Sequence, residues 1–264
     1  MNSNLKYSIC ATVYNSSEII DESVKPLINL DANFEVVIVD NFSTDGTFEK
    51  LTAYEPRIKV YRIKCSRGLG KQKAIEFSTG DVIIQISDFD VSYTNIIELV
   101  NIHEKYYSDK VVTFIPNSRD CNAVMYIGKR DLFSRIQGFP DLNNSDDLYF
   151  NKVAESLGLL TKVSGEMKYE CLKVNNLTSG QESRYESKKL KKIVRRIYST
   201  RDILFVKELN FRDLMEWYHL RRIKIIIYGI PLYILGKILE LNIKVPKVQT
   251  KIKEIKELDS NQNN

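Results

Sequence analysis

The chain has 264 residues, of which 43% are hydrophobic, and its formal net charge is only +5. This length and composition suit one α/β catalytic domain with an appendage, and four cysteines without a CxxC pair argue against a zinc site. The positive charge is concentrated between Arg184 and Arg201, which hold eight Lys or Arg against one acid, and this argues against a wide face that binds nucleic acid.

The first ninety residues alternate between strand-like and helix-like segments. Apolar, β-branched runs predict strands at Tyr7–Tyr14, Phe34–Val39, Ile58–Ile63 and Val82–Ser87, with helices between them at Ser17–Leu30, Asp45–Tyr54 and Leu69–Ser78. Continuous apolar strands are typical of a parallel sheet covered on both faces. Because right-handed crossovers place helices on both sides of such a sheet, this half predicts a Rossmann-like α/β fold.

The alternation becomes less regular in the second half of the chain. We expect helices at Asn95–Tyr107, Asp131–Ile136 and Asp147–Leu157, and strands at Val111–Ile115 and Ala123–Ile127. The catalytic domain is predicted to cover residues 1–182, with a mixed, mainly parallel sheet. Residues 183–264 are predicted to form a basic and apolar helical C-terminal region.

The C-terminal region contains two segments that suit a membrane surface. The basic stretch from Arg184 to Arg201 fits anionic lipid headgroups or a solvated helix equally well. The uncharged stretch Ile225–Gly236 is shorter than the roughly 20 apolar residues that span a bilayer, so it suits an interfacial segment or a buried helix. Because the amino terminus has no signal-peptide pattern, we expect a cytoplasmic protein with peripheral contact at the inner face of the membrane.

Polar clusters follow three of the predicted strands, where open parallel sheets bind ligands. In the first, the Tyr14 ring can stack on a nucleobase and Thr12 can form a hydrogen bond with it. In the second, Asp40 can accept a hydrogen bond from a pyrimidine N–H or a ribose hydroxyl, or it can only cap the next helix. The third contains Asp88 and Asp90, two residues apart at a strand end.

The two carboxylates of the third cluster predict a divalent metal site. Mg²⁺ and Mn²⁺ prefer oxygen ligands and commonly take one or two carboxylates, with phosphate oxygens and water completing the shell. A metal at Asp90 and Asp88 would neutralise the negative charge that develops on a departing nucleoside diphosphate.

Two further motifs carry charge. The Gly-rich segment that includes Arg67 and Lys71 lacks the Walker A pattern and therefore does not predict a P-loop. Its two cations are still candidate contacts for a diphosphate. Asp146 and Asp147 open a predicted helix, where they could be charges favoured by the helix dipole. One of them could instead be the general base that deprotonates an acceptor hydroxyl.

Six segments in this order and spacing resemble glycosyltransferase family 2, inverting enzymes of the GT-A fold, over roughly Tyr7 to Val163. The segments are TVYN, VVIVDNFSTDGT, SRGLGKQKA, ISDFD, IQGFPD and SDDL. The resemblance implies a UDP- or GDP-linked sugar donor. Because the stretch from Asp90 to Asp146 is short for the family and leaves little room for an acceptor-binding insertion, we expect a lipid-linked or glycan acceptor. The resemblance assigns nucleobase contacts to Thr12, Tyr14 and Asp40, a donor contact to Arg67, the ribose or metal side to Asp88 and the metal to Asp90.

The resemblance is looser on the acceptor side. Asp146 and Asp147 match the family's Glu-Asp pair if Asp replaces Glu, which makes Asp147 the base and Gly158 the glycine that ends its helix. An offset alignment would place Ser145 there and leave no carboxylate as base. Val153 does not supply the Arg that often follows the base in this family.

Two other functions compete with sugar transfer. A nucleotidyltransferase shares a Rossmann-like sheet and acidic metal ligands, but it would normally show a Gly-rich basic loop after the first strand, which this chain lacks. A catalytically degenerate scaffold would bind nucleotide sugar without turnover. The intact Asp88 and Asp90 argue against the scaffold.

Overall fold

The structure, a computed structural model, describes residues 5–86, 89, 91–116, 124–143, 146–172 and 234. Its strands are β1 (Tyr7–Val13), β2 (Phe34–Asp40), β3 (Ile58–Arg62), β4 (Val82–Ile86), β5 (Val91–Tyr93), β6 (Val111–Ile115), β7 (Met125–Lys129), β8 (Leu160–Ser164) and β9 (Tyr169–Cys171). Its helices are α1 (Ile20–Ile28), α2 (Thr47–Thr52), α3 (Arg67–Phe77), α4 (Ile96–Tyr106), α5 (Arg130–Ile136) and α6 (Asp146–Ser156).

A seven-stranded sheet in the order β3-β2-β1-β4-β7-β6-β8 forms the centre of the fold. Strand β7 runs antiparallel to β4 and β6, and the other neighbouring pairs are parallel. After β1 the chain builds β2 and β3 on one side and then returns to place β4 on the other side. The strand order therefore reverses between β1 and β4, which is the position where open α/β sheets bind ligands.

Helices cover both faces of the sheet and give it two apolar cores. On one face, Ile9 and Val13 of β1 pack in a cluster with residues of α1, α2 and α4. On the other face, Cys10 of β1 packs in a cluster with residues of α3, α5 and α6. Because side chains of a strand alternate between faces, a strand buried on both faces is mainly apolar, as β1 and β2 are.

Two glycines allow α3 to lie unusually close to its neighbours. A Cβ atom on Gly70 would lie 2.3 Å from Thr12 Oγ1, and one on Gly68 would lie 2.0 Å from the Pro140 carbonyl oxygen. Ser66 caps the helix by accepting a hydrogen bond from the Leu69 N–H at 3.1 Å. The first turn of α3 is therefore held between the end of β1 and the segment that leads into α6.

The predicted mixed, mainly parallel sheet flanked by helices is confirmed. The predicted strand Ala123–Ile127 is observed at Met125–Lys129, and β5, β8 and β9 were not predicted. Strand β8 lies at the sheet edge with half-buried and exposed side chains, so it lacks a continuous apolar run. Strands β5 and β9 have three residues each and pair only with one another, as a separate antiparallel sheet.

Several predictions concern residues outside the described ranges. They include Asp88, Asp90 and, apart from Ile234, the helical region 183–264 with its basic and apolar stretches. Within the described ranges, no helix combines the length and apolarity needed to cross a membrane.

Candidate functional site

The carboxyl ends of β1 and β2 lie side by side next to the point where strand order reverses. Val13 and Asp40 are register partners, and the Asn41 N–H donates to the Val13 carbonyl at 2.9 Å. The Thr12 hydroxyl donates to the Val39 carbonyl oxygen at 3.0 Å, which fixes its side chain between the sheet and α3. Tyr14 follows directly and is half buried.

Asp40 is fully buried at the end of β2, yet only one of its carboxyl oxygens is satisfied. Oδ2 accepts the Ser43 N–H at 3.1 Å and lies 3.5 Å from Arg62 Nε. Oδ1 has no hydrogen-bond partner among the described residues. Burial raises the pKa of Asp40, although Ser43 and Arg62 act to lower it. A buried, unpartnered acceptor is costly, so this oxygen is a candidate acceptor for a ligand N–H or O–H.

Arg62, at the end of β3, supports Asp40 and was not identified from the sequence. Its guanidinium carbon lies 5.2 Å from the Phe42 ring centroid and 4.7 Å from that of Phe48, distances typical of cation–π contacts. Its Nη2 donates to the Ser43 carbonyl at 2.6 Å. The register that pairs Arg62 with Asp40 depends on the alignment of two strands, which the sequence does not reveal.

The loops that follow β1 and β2 are joined by hydrogen bonds. The Asn15 N–H donates to Ser43 Oγ at 2.9 Å, and the Thr44 N–H donates to Asn15 Oδ1 at 2.9 Å. Asn15 has a φ of 48° and Phe42 a φ of 54°; the left-handed region is tolerated by Asn but unusual for a bulky aromatic residue. Phe42 is half exposed next to Asp40, where strained residues often mark functional loops.

Four charged residues from α3 and α6 form a compact group, which we call the charge cluster: Arg67, Lys71, Asp146 and Asp147. Arg67 donates to Asp146 Oδ1 from Nε at 3.0 Å and from Nη2 at 2.6 Å. Lys71 Nζ lies 2.8 Å from Asp146 Oδ2 and 2.6 Å from Asp147 Oδ1. Arg67 Nη2 also lies 3.5 Å from Asp147 Oδ2.

Lys71 and Asp146 keep their charges despite their burial. Lys71 and Asp146 have fully buried side chains, whereas those of Arg67 and Asp147 are 29% and 20% exposed. Burial alone would raise the pKa of Asp146, but Arg67 and Lys71 lower it overall. Burial alone would lower the pKa of Lys71, but Asp146 and Asp147 raise it overall. Both carboxylates also open α6, where the helix dipole favours negative charge.

The structure brings the predicted site residues together in two adjoining groups. Thr12 and Asp40 lie at the ends of β1 and β2, and the charge cluster lies across the first turns of α3 and α6. The close approach of Gly70 to Thr12 joins the two groups. The roles predicted for these residues remain predictions, and the pairing of Lys71 with both carboxylates was not foreseen. Gly158, with a φ of 66°, does follow the end of α6 as expected.

The predicted metal ligands follow β4, whose last residue, Ile86, is next to the reversal of strand order. The described residues contain no group of three or more His, Cys, Asp or Glu side chains that could hold a metal. Asp88 and Asp90 lie outside them, but two carboxylates beyond a central strand are the donor chemistry that Mg²⁺ and Mn²⁺ prefer. By their chemistry these two residues suit a metal that also takes oxygens from its ligand, and the metal site stays a prediction.

The mixed sheet with this strand order and with helices on both faces is a GT-A fold. Residues 8–158, more than half of the chain, match the family described as Glycosyl transferase family 2. The chain therefore belongs to this family.

Individual relatives and solved structures agree with this assignment. EpsE of Bacillus subtilis (strain 168), assigned as a glycosyltransferase, is 29% identical over 105 residues, which are 37% of this chain and 38% of EpsE. S. aureus TarS 1-349 in complex with UDP-GlcNAc is 18% identical with a TM-score of 0.59, covering 88% of this chain and 79% of TarS. Mannosyltransferase PcManGT from Pyrobaculum calidifontis, in complex with GDP-Man and Mn²⁺, is 15% identical with a TM-score of 0.59, covering 99% and 80%. At these identities the two structures support the fold.

Proposed function

We propose that the protein is an inverting glycosyltransferase that moves a sugar from a UDP- or GDP-linked donor to a hydroxyl or phosphate group. The observation that carries this proposal is the partly exposed carboxylate of Asp147, which Lys71 holds in the first turn of α6. The acceptor we propose is lipid-linked or a glycan, met at the inner face of the membrane. The bound UDP-GlcNAc of TarS and GDP-Man of PcManGT support the donor class.

The nucleoside part of the donor would bind at the ends of β1 and β2. Asp40 Oδ1 is a buried acceptor without a partner among the described residues, and a nucleobase N–H supplies the missing donor. The Tyr14 ring lies one residue beyond β1, where it can stack on the base. Thr12 lies near the end of the same strand, and Asp88 would take the ribose or metal side.

Asp90, with help from Asp88, would hold Mg²⁺ or Mn²⁺. When bound, the metal supplies positive charge that stabilises the diphosphate leaving group. Among the described cations of the site, Arg67 is the one predicted donor contact with a partly exposed side chain, so it is the candidate to approach the diphosphate.

Asp147 is the proposed general base, and Asp146 is not. Asp146 is fully buried, and both of its oxygens accept hydrogen bonds from cations. Asp147 is partly exposed, and its Oδ2 has only a 3.5 Å approach from Arg67. A base must reach the proton that it takes, so the exposed carboxylate suits this role.

The reaction is a single displacement. Asp147 takes the proton from the acceptor oxygen, and that oxygen forms a bond to the anomeric carbon of the donor sugar. The bond between this carbon and the diphosphate oxygen breaks, and its electron pair leaves with the nucleoside diphosphate. Attack from the face opposite the leaving group inverts the anomeric centre.

The test is the substitution Asp147→Asn, with Glu155→Gln as its matched control. Glu155 lies on the same helix, is exposed and forms an ion pair with Lys162 at 2.6 Å. Donor turnover, with water as the acceptor until the true one is known, should fall about 10³-fold in Asp147→Asn, while the control keeps wild-type turnover. Donor binding should be unchanged in both. Wild-type turnover in Asp147→Asn would refute the base, and a wild type that binds donor without any turnover would indicate a scaffold.

A further inference from the structure

Lys71 is the one fully buried lysine among the described residues. Its ammonium group lies between two carboxylates, at 2.8 Å from Asp146 Oδ2 and 2.6 Å from Asp147 Oδ1. The Phe139 ring centroid lies 5.0 Å from the same nitrogen. With these neighbours on several sides, the side chain presents no exposed surface to a diphosphate.

We infer that Lys71 is a positioning residue, which fixes the carboxylate of Asp147 through Oδ1 so that Oδ2 receives the proton of the acceptor. This role replaces the diphosphate contact that the sequence led us to expect for Lys71. The inference rests on the proposed function, because it assumes that Asp147 is the general base.

Asp146 contributes to this arrangement by keeping Arg67 away from Asp147, the proposed base. A guanidinium group holds its donors in a rigid fork, so two of them can bind the same carboxylate at once. Arg67 directs Nε and Nη2 at Asp146 Oδ1, at 3.0 and 2.6 Å, and approaches Asp147 Oδ2 only to 3.5 Å. Without Asp146, the same fork would turn to Asp147 and occupy the oxygen that must take a proton.

The surrounding structure holds the ammonium group in place. Lys71 follows Gly70, where α3 packs so closely on Thr12 that a Cβ atom would not fit. Gly68 donates its N–H to the Leu142 carbonyl at 2.9 Å, which ties α3 to the segment before α6. A small misplacement of a catalytic group costs about 10²-fold in rate, so a rigid support for Asp147 affects turnover directly.

The experiment is a double-mutant cycle on donor turnover, with donor binding measured in parallel by calorimetry. The variants are Lys71→Met, Asp147→Asn and the double variant, with Lys71→Arg as the conservative replacement. Lys73→Met is the matched control, because Lys73 lies on the same helix, has a side chain that is 36% exposed and pairs with Glu76 at 2.5 Å. Circular dichroism establishes that each variant is folded at the assay temperature, and Lys71→Arg keeps the test decisive if Lys71→Met does not fold.

We expect Lys71→Met to lower kcat about 10²-fold with donor affinity and KM for the donor within about twofold of wild type. Lys71→Arg should recover part of the lost kcat, and Lys73→Met should match wild type. Because Lys71 acts through Asp147, the double variant should be no slower than Asp147→Asn alone.

Three outcomes would overturn the inference. Loss of donor binding in either Lys71 variant would make Lys71 a diphosphate contact. Additive losses in the double variant would separate it from Asp147, and wild-type kcat in Lys71→Met would leave it without a role in turnover. Failure of the proposed function would instead appear in the wild type, as absent donor binding or turnover.

Discussion

The ammonium nitrogen of Lys71 lies 2.8 Å from Oδ2 of Asp146, and both side chains are completely buried. The two residues belong to α3 and α6, which pack on the same face of the sheet. A buried ion pair adds little net stability compared with apolar residues, but removing one partner leaves an unpaired buried charge. The pair therefore makes the junction of the two helices sensitive to substitution.

Lys71→Met should lower the free energy of unfolding by about 3–5 kcal/mol, because Asp146 would keep only Arg67 as a counter-charge. Urea unfolding followed by circular dichroism measures this change. Lys73→Met changes a partly exposed side chain of α3 and should change stability by no more than about 0.5 kcal/mol. Equal stability of the two variants would show that the buried pair contributes nothing to holding α3 and α6 together.

Glu35 should make the protein sensitive to acid. Burial raises the pKa of Glu35, but hydrogen bonds from Lys59, Ser8 and Thr79 outweigh it and lower this pKa to about 2. Because the folded pKa lies below the unfolded value of about 4.3, the stability contributed by Glu35 is present above that value and is lost as the pH falls toward about 2.

The matching experiment compares wild type with Glu35→Gln in urea at several pH values. The wild type should lose stability more steeply between about pH 5 and pH 3 than the variant. Parallel pH profiles would mean that Glu35 titrates normally in the folded protein.

Gly70→Ala tests the close approach of α3 to β1. The new methyl group would lie 2.3 Å from Thr12 Oγ1 and 2.9 Å from Thr12 Cβ, so the helix must shift. We expect thermal unfolding to show a loss of about 1–3 kcal/mol. Thr12→Ala removes the nearest atom, so the double variant should be more stable than the sum of the two single losses predicts. If the stability losses of the two single variants simply add in the double variant, the strain in Gly70→Ala does not come from contact with the Thr12 side chain.

Asp40→Asn should weaken the binding of a nucleotide sugar while it leaves the stability of the fold nearly unchanged. Burial raises the pKa of Asp40, so its ionised form costs stability at neutral pH, and the amide should change the free energy of unfolding by less than about 1 kcal/mol. Nucleotide-sugar affinity should fall at least about tenfold, because an amide N–H would face the donor of the base. Asp21→Asn, at a half-exposed carboxylate of α1, is the control that should keep full affinity. Unchanged affinity in Asp40→Asn would remove Asp40 from the nucleotide site.

The sequence predicted the central strands well because burial on both faces requires continuous apolar runs. The chain order of β1 to β4 also placed Thr12 and Asp40 at the ends of neighbouring strands. The sequence could not reveal which charged side chains pair with each other. Lys71 and Asp146 are 75 residues apart, and their contact depends on how α3 and α6 pack. Arg62 was missed for the same reason, because its contact with Asp40 follows from strand register.

Calorimetric titration of the full chain with UDP- and GDP-linked sugars, with Mn²⁺ or Mg²⁺ and with a chelator, tests the central claim most directly. We predict that one nucleotide class binds in the presence of metal, that the chelator weakens this binding, and that Asp40→Asn reduces it. No binding of any nucleotide sugar by the folded wild type, with either metal, would contradict the proposal that this chain uses a nucleotide-sugar donor.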